Sequence, residues 1–199
     1  MSTIGLLFSG ATLFLNSLVL LKKADAKAIA VFNLFVGLLQ VIVPFYLLTT
    51  TPNNDPWAIF NTSAIFLFGF TYLYVGLTTL MNLNGNGLGW YSIWVSIMAV
   101  MYGLVYFIHF HDILNGVIWL MWAYLWYLFF ASLVLNKKID HHVGCVAFIQ
   151  SWITLTIPAF LTLLGIWQNQ YLIKAWYIIL AISIGYFIVN EIKLKKIAK

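Results

Sequence analysis

Long apolar runs separated by short polar breaks are the main pattern of this sequence. A helix that crosses a lipid bilayer needs about 20 predominantly apolar residues, which is close to the length of most of these runs. The breaks contain turn-forming or charged residues and leave no room for a separate soluble domain. The pattern predicts a polytopic α-helical integral membrane protein of seven spans, at residues 4–21, 28–49, 58–81, 90–110, 113–135, 143–167 and 171–190.

The composition supports a location in lipid. Hydrophobic residues make up 63% of the 199 positions, and charged residues make up only 8%. A soluble domain carries about 25% charged residues, so this chain has too little polar surface to stay in water. No basic residue precedes the first apolar run, which is not the pattern of a cleaved signal peptide, and we expect a retained first helix.

The lysines indicate the orientation of the chain in the membrane. Five of them lie in the first and fifth breaks, at Lys22, Lys23, Lys27, Lys137 and Lys138. The second, fourth and sixth breaks contain none, and Lys174, near the start of the last run, is the exception. Because lysines concentrate in cytoplasmic loops, we expect the N-terminus outside and the basic C-terminal tail in the cytoplasm. Lysines at span ends are not a phosphate-binding patch, so nucleic acid is not an expected partner.

Charged side chains are missing from the interior of the predicted spans. Proton pumps, ion-coupled transporters and voltage sensors place ionisable groups at membrane depth, because moving a charge requires a partner charge. The chain also has no arginine with which to bind an anion. These absences favour the passive movement of a neutral solute.

Two other membrane functions stay open as alternatives, a secondary transporter and a seven-span receptor of unknown ligand. The missing intramembrane charge disfavours the transporter. A retinal protein, one form of the receptor, needs a lysine inside its last span, and residues 175–190 contain none. No nucleophile–base pair, nucleotide-binding glycine loop or metal-ligand motif is present at depth, so the sequence predicts no enzyme, cofactor or metal site.

Neutral polar residues do occur at membrane depth, at Asn16, Asn33, Gln40, Gln150 and Thr154. Gln150 and Thr154 are four residues apart, which places them on one face of a helix. One interpretation is that these side chains form hydrogen bonds between helices. The other is that they face a pore and offer an amide donor and acceptor to a polar solute.

Trp119, Trp122 and Trp126 form an aromatic stripe along one face of the fifth span. Tryptophan normally gathers at the two membrane interfaces, but the last two lie within about one turn of the middle of the span. Phe68 and Tyr72 share one face of the third span. Core packing is one interpretation. The other is a narrow aromatic pore, whose flat rings sandwich a flat solute such as urea, while indole N–H groups and the tyrosine hydroxyl supply sparse hydrogen bonds.

An ordered set of segments resembles the AmiS/UreI family of urea and amide channels. The most specific is Phe66–Tyr74, which is similar to the third helix of these channels. The other similar segments are Ala30–Gly37 with the preceding Asp25 and Lys27, Trp90–Ser92, the tryptophan stripe and Ile157–Ala159. Together they cover residues 4–166.

This resemblance implies a six-helix channel core of three hairpins around its own pore, assembled as a homo-hexamer among the lipids of a bacterial inner membrane. It implies passive passage of urea or short aliphatic amides. The core would occupy residues 1–167, and residues 168–199 would add a seventh helix with a basic tail. Pathway residues carried over by position, together with the polar Gln150, are Leu6, Leu13, Phe68, Tyr72, Trp119, Trp122, Leu125, Trp126 and Gln150.

Two features separate this chain from the acid-gated members of that family. Their first outer loop is long and rich in histidine, whereas the loop here is short and contains no histidine. They carry a glutamate eight residues before the proline of the Ile-Pro-Ala segment, where this chain has Gln150. Only two histidines, His109 and His111, are expected near the outer face, and two histidines provide only a small pH switch. We therefore expect a channel that acid does not activate.

Overall fold

The computed structural model describes residues 3–50 and 55–197. Seven helices in these residues are long and apolar enough to cross a membrane, which confirms the predicted fold class. Residues 51–54, most of the predicted first outer loop, lie outside the described residues. The helices are α1 (Thr3–Leu20), α2 (Ala26–Thr50), α3 (Pro56–Leu80), α4 (Asn86–Ile108), α5 (Ile113–Leu133), α6 (Asp140–Leu163) and α7 (Gln170–Ile197).

Aspartates cap three of these helices. The Asp25 carboxylate accepts a hydrogen bond of 2.8 Å from the backbone N–H of Ala28 at the start of α2. Asp55 and Asp112 accept bonds of 3.0 Å from backbone N–H groups in the first turns of α3 and α5. The first N–H groups of a helix have no intrahelical partner, so a carboxylate there stabilises the helix start. These acidic side chains are therefore held at helix ends and not within the bundle.

The first six helices pack as three antiparallel pairs. The hairpins α2–α3 and α4–α5 are the most extensive pairs, and α1 packs along α6 to complete the bundle. The odd-numbered breaks, which include Lys22 and Lys137, lie together at one end of the bundle, here called the basic end. The opposite end, where α1 begins at Thr3, is called the N-terminal end.

One turn of α6 is wider than the rest. Residues Ser151–Thr156 are π-helical, and the Thr156 hydroxyl donates a hydrogen bond of 2.8 Å to the carbonyl five residues earlier. Pro158 follows and has no backbone N–H to continue the ordinary helical pattern. α1 comes close to this turn at Gly10, where a Cβ atom would lie 2.9 Å from the backbone nitrogen of Thr156. Only a residue without a side chain lets α1 approach the wide turn so closely.

α7 packs against α5 and α6 on the outside of the six-helix bundle. The indole nitrogen of Trp176 donates a hydrogen bond of 2.8 Å to the carbonyl of Ile153 on α6. Near the basic end, the Tyr124 hydroxyl of α5 donates to Glu191 at 3.0 Å and lies 3.0 Å from Nε2 of His142. α7 is nevertheless the least buried of the described spans.

Large apolar side chains cover the outer surface of the bundle. Phe35 on α2 is 65% exposed, and Trp94 on α4 is 52% exposed. An exterior of this kind has no cost in the hydrocarbon region of a bilayer, because lipid tails are as apolar as the side chains. Such exposed residues also serve as controls for the buried aromatic residues described next.

Candidate solute pathway

A large cavity opens toward the N-terminal end of the bundle and has a volume of about 210 Å³. The starts of α1, α3 and α5 meet the ends of α4 and α6 around it, and many of its lining groups are polar. Its lining residues are Thr3, Leu6, Asn61, Ala64, Tyr106, Asn115, Ile118, Trp119, Trp122, Thr154, Pro158, Thr162 and Trp167.

A small cavity of about 40 Å³ lies toward the basic end of the same bundle. Most of its wall is apolar or aromatic, with a few amide and hydroxyl groups. Its lining residues are Leu13, Asn16, Phe68, Thr71, Tyr72, Val75, Leu88, Ser92, Trp122, Leu125, Trp126 and Phe129. Trp122 lines both cavities, so the two lie on opposite sides of one aromatic layer.

Phe68 is the centre of this aromatic layer, here called the septum and formed by Phe68, Trp119, Trp122 and Trp126. The ring of Phe68 lies 4.9 Å from that of Trp122 and 5.0 Å from that of Trp126, measured between centroids. Its distance from the Trp119 ring is 6.3 Å. Rings at such separations are in direct contact, mostly edge to face. The four rings therefore form one continuous aromatic layer between the two cavities.

The indole ring of Trp122 is fixed by α6. Its nitrogen donates a hydrogen bond of 2.9 Å to the Thr154 hydroxyl, which in turn donates to the carbonyl of Gln150 at 2.7 Å. Thr154 lies within the π-helical turn, so the wide turn sets the position of the acceptor. A π-helical turn inside an α-helix frequently occurs at a functional site.

Aromatic residues of α3 and α4 extend the septum toward the large cavity. The ring of Tyr102 stacks on that of Trp119, with centroids 4.6 Å apart and an interplanar angle of 17°. The Tyr102 hydroxyl lies 2.7 Å from that of Ser63. The Tyr106 hydroxyl donates a hydrogen bond of 2.9 Å to the side-chain oxygen of Asn61. These bonds hold both tyrosines against α3, and Tyr106 lines the large cavity.

The Tyr72 hydroxyl is also committed to the protein, because it donates a hydrogen bond of 3.1 Å to the carbonyl of Ser9 on α1. Gln40 of α2 donates to the Ser9 hydroxyl from the other side. α1 is thereby tied to both α2 and α3 beside the small cavity. None of the described residues that line the two cavities carries a formal charge.

Residues 1–166 of the chain match the family described as AmiS/UreI family transporter. The chain belongs to the AmiS/UreI family. A protein of Rhodococcus erythropolis that carries the name transporter protein AmiS2 is 43% identical over 166 residues, which cover 83% of this chain and 80% of the relative. A Mycolicibacterium smegmatis protein named as a transporter of amidate substrates is 39% identical over 170 residues, covering 85% and 79% of the two chains.

The fold matches that of a solved urea channel. The crystal structure of the urea channel from Helicobacter pylori superimposes with a TM-score of 0.74 at 30% identity, covering 84% of this chain and 99% of that chain. A cryo-EM structure of the same channel in its closed state has the same TM-score at 29% identity. The family match ends just beyond α6, so α7 lies outside the matched region.

Most of the pathway residues expected for an AmiS/UreI protein line one of the two cavities. Leu6 and Trp119 line the large cavity, and Trp122 lines both. The residues that line the small cavity are Leu13, Phe68, Tyr72, Trp122, Leu125 and Trp126. The carried-over positions therefore fall along one line through the bundle, from the N-terminal end to the basic end.

Gln150 differs from the other expected pathway residues, because it is fully buried and lines neither cavity. Its side-chain nitrogen donates a hydrogen bond of 2.8 Å to the carbonyl of Met121, next to Trp122 in α5. Its side-chain oxygen has no partner among the described residues. This geometry corresponds to the interhelical interpretation, in which Gln150 holds α6 against α5 behind the septum.

Four residues at the septum or the large cavity were not predicted as pathway residues, namely Tyr102, Tyr106, Asn61 and Asn115. A signal for the two tyrosines was present, since they are four residues apart and therefore share one face of α4. Asn61 lies in the second turn of α3, and Asn115 lies in the first turn of α5. Residues so close to the start of a helix are typical of helix ends, so their positions did not indicate a cavity.

Proposed function

We propose that this protein is a passive channel for urea or short aliphatic amides, with the septum as its barrier. The observation that carries this proposal is the position of Phe68 against Trp122 and Trp126, between two cavities with uncharged linings. The large cavity collects solute, the septum selects it, and the small cavity receives it.

The chemistry of the septum favours flat neutral molecules over ions. An ion would have to lose its hydration shell at the rings, where no charged group replaces the lost water. A planar amide slides between aromatic faces at a smaller cost, since its thickness is that of a ring. Its polar edge finds hydrogen-bonding groups in the cavities on either side. The names of the relatives, a urea channel and an amidate transporter, favour the same class of solute.

We also propose that acid does not activate this channel. Gln150 stands where the resemblance places a glutamate in the acid-gated members, and an amide side chain does not titrate. At the N-terminal end, the ring of His109 stacks on that of Trp57, with centroids 3.7 Å apart. This contact holds the α4–α5 connection against the start of α3.

The orientation and assembly in this proposal come from the lysine distribution and the resemblance. The basic end faces the cytoplasm, so the large cavity faces outward and the small cavity inward. The six-helix core, residues 1–167, contains the pathway. Residues 168–199 add a peripheral helix. The functional unit is a homo-hexamer surrounded by lipid in a bacterial inner membrane.

Stopped-flow measurement of solute entry into proteoliposomes tests the passive channel. We expect urea and acetamide to enter faster than into protein-free liposomes, at a rate proportional to the solute gradient. An imposed proton or sodium gradient should leave the rate unchanged. Entry that follows such a gradient would instead support the secondary transporter, and entry no faster than into protein-free liposomes would contradict the proposal altogether.

A further inference from the structure

A third cavity, of about 190 Å³, lies at the basic end of the bundle, between the start of α6 and the C-terminal half of α7. The described residues that line it are Lys138, Ile139, His141, His142, Cys145, Tyr186, Asn190, Lys193 and Leu194. None of these residues belongs to the septum or lines the large or the small cavity. This third cavity, here called the basic cavity, is therefore separate from the solute pathway.

The basic cavity has positive charge in its wall and no acidic residue among the described residues that line it. Lys138 comes from the connection between α5 and α6, and Lys193 comes from α7. The side chains of Asp140 and Glu191, which belong to the same two helices, instead accept hydrogen bonds from hydroxyl groups of α5, at 2.7 and 3.0 Å. Two ammonium groups beside one cavity repel each other, whereas an anion between them is attracted by both.

Two neutral side chains of the basic cavity keep hydrogen-bonding groups for a ligand. The amide of Asn190 forms no hydrogen bond with another described residue, so its donors and its acceptor are available. His142 is only 5% exposed, and its Nε2 atom lies 3.0 Å from the Tyr124 hydroxyl, which donates its own hydrogen to α7. Nε2 is therefore the donor in this contact, which leaves Nδ1 of the neutral ring as an acceptor for a hydroxyl group.

The first turn of α6 adds backbone donors beside the basic cavity. Aspartates cap α2, α3 and α5, but α6 follows Ile139, and no side chain caps its start. The N–H of Val143 donates to the carbonyl of Ile139 at 2.9 Å, and the N–H groups before it in α6 have no intrahelical acceptor. The start of a helix attracts anions, so this turn strengthens the preference that the two lysines set.

The surroundings of the basic cavity favour a phospholipid as the source of the anion. The cavity lies at the ends of two spans, which is the depth of the lipid headgroups. Exposed apolar side chains continue from it toward the middle of both helices. Phe148, about one turn beyond Cys145 on α6, is 38% exposed, and Ile182, about one turn before Tyr186 on α7, is 67% exposed. The acyl chains of a lipid whose phosphate lies in the cavity would cover these side chains, whereas a free phosphate ion would not.

We propose that the basic cavity binds the headgroup of an anionic phospholipid, whose phosphate lies between the ammonium groups of Lys138 and Lys193. A headgroup hydroxyl, present in phosphatidylglycerol and in cardiolipin, bonds to Asn190 and to Nδ1 of His142. Basic pockets between transmembrane helices are suited to such headgroups. The lipid joins the α5–α6 connection to α7, the least buried of the described spans, and fastens it to the bundle. This site is independent of the proposed channel function.

The midpoint of thermal unfolding of the full chain in neutral detergent, measured at increasing phosphatidylglycerol concentrations, tests this site. A ligand that binds only the folded chain raises this midpoint, and we expect phosphatidylglycerol to do so. Lys138→Gln/Lys193→Gln should raise the half-saturating lipid concentration about tenfold, because both charges beside the phosphate are lost. Lys138→Arg/Lys193→Arg keeps the charges and should bind lipid as wild type does.

A matched control separates this site from general attraction of lipid to the basic end. Lys23→Gln/Lys27→Gln removes the same charge from the α1–α2 connection, at residues that do not line the basic cavity, and should keep the wild-type half-saturating concentration. Asn190→Leu, which removes only an amide from the cavity, should raise that concentration about threefold. If the two glutamine pairs weaken binding equally, or if neither does, the basic cavity is not the site.

Two further ligands identify the source of the phosphate. Zwitterionic phosphatidylethanolamine has no net charge and should raise the midpoint much less than phosphatidylglycerol does at the same concentration. Inorganic phosphate at that concentration should leave the midpoint unchanged, because it has no acyl chains. A rise with phosphate as large as that with phosphatidylglycerol, lost in Lys138→Gln/Lys193→Gln, would show that the cavity binds the free ion and that the lipid assignment is wrong. Equal rises with the two lipids, or no rise with either, would contradict an anionic lipid site.

Discussion

The indole nitrogen of Trp122 donates a hydrogen bond of 2.9 Å to the hydroxyl of Thr154, so α6 orients the ring that separates the two cavities. The acceptor belongs to the π-helical turn, which α1 approaches at Gly10. The position of the Trp122 ring in the septum therefore depends on the geometry of α6, which contributes no ring to the septum. A change in that turn is expected to reach the pathway through this bond.

Thr154→Val removes the acceptor while keeping the shape of the side chain. A buried donor left without a partner costs about 1–3 kcal/mol, so the Trp122 ring will leave its present orientation. We expect lower urea permeability and a lower midpoint of thermal unfolding in detergent. Ser183→Ala is the control, because the Ser183 hydroxyl bonds only within α7, at 2.8 Å, away from both cavities. Equal permeability of Thr154→Val and wild type would show that this bond does not set the barrier.

Trp122→Ala and Trp126→Ala are expected to change permeability more than they change folding. Both rings contact Phe68 in the septum, and we expect their removal to connect the large cavity with the small cavity. Permeability is measured by stopped-flow, and assembly is measured by size-exclusion chromatography in detergent. Trp94→Ala, at an exposed position away from both cavities, should resemble wild type in both. If the two septum variants assemble and conduct like wild type, the assignment of the pathway is wrong.

Urea permeability should change by less than about twofold when the external pH falls from about 7.5 to 5. Shifting a two-state gate from 1:99 to 99:1 takes about 5.5 kcal/mol. A difference of one pKa unit between the two states supplies about 1.4 kcal/mol for each group. A gate with two titrating groups in each protomer would thus need pKa differences of about two units in each group. The prediction would be wrong if urea permeability rose tenfold at the lower pH, with the internal pH clamped, and if His109→Ala/His111→Ala abolished this rise. The connection between α4 and α5 would then be the gate.

Removal of residues 168–199 should leave urea permeability close to that of the full chain. α7 lines neither cavity, and it is attached by bonds such as those of Trp176 to α6 and of Tyr124 to Glu191. The loss of two hydrogen bonds, at about 0.5–1.5 kcal/mol each, should lower the thermal midpoint. Glu191→Gln is a milder variant that keeps the helix. Loss of conduction in a shortened chain that still assembles would place α7 within the functional unit.

The helices could be predicted from the sequence because a bilayer sets the length of an apolar run. The tryptophan stripe and the pair Phe68 and Tyr72 were also visible, since residues three or four apart share a helix face. What the spacing did not reveal is which rings meet. The contact of Phe68 with Trp122 depends on how α3 packs on α5, and that packing involves residues distant in the chain.

The hydrogen bonds of the site were the least predictable part. Trp122 and Tyr72 were expected to offer donors to a solute, but both donors are taken by protein acceptors on other helices. Besides Pro158, the local sequence carries no strong signal of the wide turn of α6. The turn accompanies the close approach of α1 at Gly10, which is a contact between residues distant in the chain. The side chain of His142, near the start of α6, is buried beside Tyr124, and no local pattern in the sequence indicates this contact.

The central claim, that solute crosses between Phe68 and Trp122, is tested most directly by the permeability of Phe68→Ala proteoliposomes to urea and glycerol. Removal of the ring that closes the septum should raise glycerol permeability about tenfold or more and leave urea permeability at least as high as in wild type. Phe35→Ala, which removes the same side chain from the exposed surface of α2, should change neither value. If Phe68→Ala assembles normally and conducts both solutes as wild type does, the pathway does not pass through the septum.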